Sequence, residues 1–120
     1  MEKTKGRVVH KRVEDNLITD PGTGLAIPID KSGQVPLVIA NAVEANTLAA
    51  PAFRGQELKI YAYSVAGSGT RAITVSEAFN VAGNTIMTFG TAGDLAILLA
   101  GVNATGLVWK IIANDDVALT

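Results

Sequence analysis

The chain of 120 residues contains no cysteine and a single histidine, His10. The first absence rules out a disulfide framework and thiolate metal sites, and the second removes most imidazole-based metal and acid–base chemistry. An excess of one charge is also missing. Ten basic side chains oppose eleven acidic ones, giving a net charge of −1, so nothing provides the general electrostatic attraction that nucleic acid binding asks for. Long hydrophobic runs are absent too. The most apolar stretch, residues 95–109, is shorter than a membrane span and is broken by Gly101, Asn103 and Gly106. The opening MEKTKGRVVHKR carries charge without a following apolar stretch, so a soluble chain without a secretory signal is expected. Aromatics are few: all six lie beyond Pro51.

Charge is spread unevenly. Residues 1–33 hold six Lys or Arg and five Asp or Glu, whereas residues 34–120 hold four and six. A short charged segment without aromatics buries too little to order itself cheaply. The expected organisation is an N-terminal arm or tether over residues 1–33 and one β domain over residues 34–120. Within the arm, Arg7, Val8, Val9, Lys11, Arg12, Leu17 and Ile18 are candidates for contact with a partner, because an extended segment can add a strand to an exposed sheet edge. Leu25, Ile27 and Ile29 continue the apolar series.

The domain is patterned at a period of two. Leu58, Ile60 and Ala62 alternate with Glu57, Lys59, Tyr61 and Tyr63, and after the break at Ala66-Gly67-Ser68-Gly69, Ile73 and Val75 resume the alternation. That reads as a β-hairpin. Val35, Leu37 and Ile39 form an earlier strand, while Ala40-Asn41-Ala42-Val43-Glu44-Ala45-Asn46 permits a single helical turn. Residues 85–89, Leu95 with Ile97 and Leu99, residues 107–113 and residues 117–119 supply further strands, separated by turn signals about every ten residues. The fold expected is all-β, a single antiparallel sandwich or barrel of jelly-roll or tulip-like form. Val108 and Ile112 would lie opposite Trp109 and Ile111, making one strand apolar on both faces. One face needs a cover, and a second subunit is the usual one, with the arm or a second sheet of the same chain as the alternative. Tyr61, Tyr63, Val108 and Ile112 are therefore candidates for a subunit interface.

Catalytic chemistry finds little to work with. A Ser-His-Asp arrangement would need His10 beside Ser32, Ser64, Ser68 or Ser76, and His10 sits in the charged arm. Gly67-Ser68-Gly69-Thr70 lacks the lysine of a phosphate loop and precedes a strand where that motif requires a helix. Asp115 and Asp116 are adjacent, the pattern of a turn. Asp15, Asn16, Asp20 and Thr23 lack the spacing of a calcium loop. Tyr61, Tyr63 and Trp109 could stack on a sugar if they shared an exposed face, but a strand-borne tryptophan in an aliphatic run is more often core. No catalytic residue, metal site, cofactor or small-molecule substrate is expected.

The later residues carry a resemblance. LAAPAFRGQELKIYAYS, ITVSEAFNVAGNTIMTF, AGDLAILLAG and LVWKIIANDDVAL, over residues 48–119, resemble the small β-rich capsid decoration, or head cement, proteins of tailed bacteriophages. The matching points are Gly55-Gln56, Asn84-Thr85-Ile86, Ala92-Gly93-Asp94, and Trp109 with Ala113-Asn114-Asp115. Asp116 departs from the pattern, since a glycine is expected at that turn. The resemblance implies a homotrimer on the outer capsid surface at three-fold or quasi-three-fold sites, bound to the major capsid protein and made in the host bacterial cytoplasm. A phage fibre or receptor-binding module that recognises a host-surface glycan through Tyr61 and Tyr63 is the alternative.

Overall fold

Alternation of Val35, Leu37 and Ile39 with Gln34, Pro36 and Val38 favours an extended strand with its branched side chains to one side. The computed structural model, which describes residues 16–120, places that strand at Gly33–Ile39 as β1. There follow β2 (Val43–Leu48), β3 (Glu57–Val65), β4 (Thr70–Val75), β5 (Ile86–Phe89), β6 (Leu95–Asn103), β7 (Gly106–Asp115) and β8 (Ala118–Leu119). No helix occurs among the described residues, so the fold is all-β. Two four-stranded sheets, ordered β1-β3-β6-β7 and β2-β4-β5-β8, enclose one core. They form a sandwich of mixed sheets, because β1 pairs with β3 and β2 with β4 in parallel, whereas the remaining pairs are antiparallel.

The parallel pairs correct the expected hairpin. β3 and β4 belong to different sheets, and the turn between them is an arch that crosses the core. A second arch joins β1 to β2, and the two stack. The Ala66 N–H donates to the Ile39 carbonyl at 2.9 Å and the Thr70 N–H to the Ala42 carbonyl at 3.0 Å. The Ser68 N–H donates to Asn41 Oδ1 at 3.1 Å. Gly69 lies so close to this lower arch that a Cβ there would collide with the Ala40 carbonyl oxygen. Residue periodicity cannot distinguish an arch from a hairpin, since both bury Leu58, Ile60, Ile73 and Val75.

β2 is a strand at a stretch whose composition also permits a single helical turn. Its inward positions are Glu44, Asn46 and Leu48, and Val43 points out and is 92% exposed. Two polar residues facing inward disguise the alternation. β6 also turns its pattern over: Ala96, Leu98 and Ala100 are buried, so Leu95, Ile97 and Leu99 face away from the core. Small residues suffice inside because β7 supplies the bulk there. Trp109, paired with Ala100, is 2% exposed and its Nε1–H donates to the Ala49 carbonyl at 2.8 Å.

The composition break at Gly33 is not a structural boundary. Residues 16–31 form a third, irregular coil beside the two arches, with single parallel bridges from Leu17 to Gln34 and from Ala26 to Thr47. Ile18 and Ile27 enter the core at 3% and 2% exposure. These two side chains gain a desolvated site without a full strand around them, which is why composition alone suggests a tether.

Candidate functional site: an apolar sheet face and a buried charge cluster

Side chains at paired positions of a sheet lie on the same face. Pro36 pairs with Tyr61, Tyr61 with Leu95, Lys59 with Ile97, and Glu57 with Leu99. These residues together make the outer surface of the first sheet. Tyr63 and Val38 extend it at the arch end, exposed at 67% and 58%, and Leu99 is 37% exposed. Charge is interleaved with it: Glu57 and Lys59, 3.9 Å apart, are the cross-strand neighbours of Leu99 and Ile97, and Lys110 and Asp115 on β7 are those of Leu99 and Leu95. A partly exposed apolar row set among charges of both signs has the mixed composition of a protein contact surface.

The second feature is inside. Arg71 on β4 is 1% exposed. Its Nε–H donates to Glu44 Oε1 at 2.9 Å; Nη1 donates to Asp20 Oδ1 at 2.8 Å and to Asn46 Oδ1 at 2.9 Å. Nη2 donates to Asp20 Oδ2 at 3.2 Å and to the Val38 carbonyl at 3.0 Å. The guanidinium thus uses its full set of N–H donors. The acceptors come from the irregular coil, from β2 and from β1, so one side chain ties together three successive layers of the chain.

Asp20 is satisfied from all sides. Besides Arg71, it accepts from the Gly22 N–H and the Val38 N–H, each at 2.9 Å. Burial pushes its carboxyl upward, but the hydrogen bonds from Arg71, Gly22 and Val38 and the guanidinium charge outweigh that and hold it below its ordinary value. The same balance operates on Arg71, where burial works against the charge while bonds to Asp20 and Glu44 raise its pKa. The arrangement neutralises a buried cation; it leaves no donor free for a substrate. Among the described residues no group of His, Cys, Asp and Glu could hold a metal ion. Nor is any helix among them long and apolar enough to cross a membrane.

The residues singled out from sequence divide into three sets. Arg7, Val8, Val9, His10, Lys11 and Arg12 lie outside the described residues. Leu17, Tyr63 and Ile112 are exposed, at 56%, 67% and 53%, and Tyr61 is half-buried on the outer face. Ile18 and Val108 are each 3% exposed, which corrects their reading as contact residues. Ile18 fills the core under β1, and Val108 lines a tight cleft with Leu48, Val75, Glu77 and Trp109. Ile112 is the extra residue of a bulge, because Ile97 pairs with Ala113 and Leu98 with Ile111. Sequence reasoning placed the leftover apolar surface on β7; β7 contributes Ile112, and β1, β3 and β6 contribute Val38, Tyr63, Leu99 and Val102. Arg71, Glu44 and Asp20 were missed as a cluster, although an arginine at an inward strand position between Ala72 and Thr70 was a readable sign.

No family model, curated protein or solved structure matches the chain.

Proposed function

We propose that this chain is a structural virion protein that binds the outside of a phage capsid as a homotrimer at three-fold or quasi-three-fold sites and stabilises the shell. The observation that carries the reading is the outer face of the first sheet. Leu95, Ile97 and Leu99 stand in a row on it, beside Tyr61 and Tyr63, with Glu57, Lys59, Lys110 and Asp115 as cross-strand neighbours of both signs. Burying such a row against a sister subunit or the shell contributes about 25 cal/mol for each Å² of apolar surface covered. The matches of Gly55-Gln56, Ala92-Gly93-Asp94 and Trp109 with Ala113-Asn114-Asp115 to the decoration-protein pattern point the same way.

The test is to mix the purified protein with mature capsids that lack it, and to weigh the free protein by light scattering. Wild-type chain labels capsids uniformly, and Ile97→Lys binds them at least about tenfold more weakly, a change of roughly 1.4 kcal/mol. A chain starting at Asn16 separates the contribution of the preceding arm, and it leaves Ile18 and Ile27 in the core, as a start at Ser32 would not. Failure of the wild-type chain to bind capsids, together with binding of Tyr61 and Tyr63 to a glycan on an array, would move the reading to a receptor-binding module.

A further inference from the structure

The coil at residues 16–31 is held differently from every strand beside it. β1 and β2 each pair with their inner neighbour along their whole length, but each meets the coil at one bridge only. The backbone bonds across the junction are few: Gln34 N–H to the Asn16 carbonyl at 2.7 Å, Ile18 N–H to Gln34 at 2.8 Å, Gly24 N–H to Ala45 at 2.7 Å, and Ile27 N–H to Thr47 at 3.0 Å. Neutral side-chain bonds add to these, from Asn46 to the Gly22 and Leu25 carbonyls, between Thr23 and Ala45, and from Gln56 to the Ile29 and Lys31 carbonyls, and the one charged attachment is the two-pronged contact of Asp20 with Arg71. Arg71 also donates to Glu44 and Asn46, both on β2 and outside the coil. The body can therefore hold its buried cation without Asp20.

We propose that residues 16–31 are a latched strap: the Asp20–Arg71 contact fastens them, and they open as one cooperative unit while both sheets stay folded. Opening bares the outer edges of β1 and β2, two parallel strand edges with unpaired backbone groups that form a template for adding another strand. It also uncovers the side of the core that Ile18 and Ile27 fill. The device is independent of the capsid reading, since it needs no partner to operate.

Native-state hydrogen exchange at low denaturant tests it on the full chain. In wild type, the amides of Ile18, Gly24, Ile27 and Gln34 exchange through a shared opening that costs less, and exposes less surface, than the one releasing Ala62, Ala100 and Ile111. In Asp20→Asn those four accelerate together by at least about tenfold, the loss expected for a charge-assisted bond. Asp30→Asn, which neutralises an exposed carboxylate of the same coil, leaves them within about twofold. Two results would overturn the proposal. One is exchange of the coil amides at the rate of the sheet amides in wild type; the other is acceleration in Asp20→Asn confined to Gly22 and Val38, the amides bonded to Asp20 itself. If Asp20→Asn does not fold, the wild-type comparison decides alone.

Discussion

Asp20 and Arg71, fifty-one positions apart, meet through two hydrogen bonds of 2.8 and 3.2 Å inside the sandwich. The contact joins the coil before β1 to the fourth strand, and three layers of chain converge on it. Replacing Arg71 by methionine leaves Asp20 and Glu44 buried without their counter-charge. The expected cost is about 3–5 kcal/mol, the size seen when one partner of a buried pair is removed. Urea denaturation of Arg71→Met checks it, and a loss below about 1 kcal/mol would mean that water replaces the guanidinium.

Acid should act through Asp20. Its carboxyl sits below the ordinary value of 3.8 in the folded chain, so the folded state favours the ionised form. Its stabilisation is complete above the unfolded value, near pH 4, and is lost as the pH falls through the folded value. Wild type is expected to exceed Asp20→Asn by about 1.5–3 kcal/mol at pH 7, with the gap closing towards pH 2. Denaturation curves at pH 7, 4 and 2 measure the gap; one that persists at pH 2 contradicts the assignment.

Asp116 has φ of 67°, the left-handed region that suits glycine. The turn is held by Asn114, whose Oδ1 accepts from the Val117 N–H at 2.9 Å and whose Nδ2 donates to the Val117 carbonyl at 3.1 Å. Asp116→Gly is expected to stabilise the chain by about 0.5–1 kcal/mol, and Asp116→Val to destabilise it by about 1–2 kcal/mol. Thermal midpoints of the two variants should move in opposite directions.

Stacking of the two arches makes Gly69 a close-approach position. Gly69→Ala should cost roughly 1–3 kcal/mol, because the new Cβ meets the backbone carbonyl of Ala40 and not a movable side chain. A neutral result by chemical denaturation would show that the arches can slide apart.

The two faces of the first sheet should answer differently to the same substitution. Ile97→Lys changes the unfolding free energy of the isolated chain by less than about 1 kcal/mol, and under the proposed homotrimer it reduces the mass seen by light scattering to that of a single chain. Leu98→Lys, on the inward face of the same strand at a site 0% exposed, should prevent folding. Circular dichroism and light scattering on both variants separate the contact surface from the core.

The all-β class, most strand positions and the core role of Trp109 were legible because period-two burial depends on neighbours along the chain. Val35, Leu37, Leu58 and Ile60 declare an inward face wherever their strand is placed. β2 escaped because Glu44 and Asn46 point inward to a cation twenty-seven and twenty-five positions away, and local patterning cannot price a partner that distant.

Sequence by itself determined the inward apolar faces of β1, β3 and β4 and where the chain must turn, since both follow from hydropathy and backbone chemistry read a few residues at a time. Only the tertiary structure decided that the turn at residues 66–69 crosses between sheets, that residues 16–31 join the body, and that Arg71 closes the layers. Those outcomes rest on which backbone donors and which buried charges find partners across dozens of residues, a condition met in three dimensions and invisible along one.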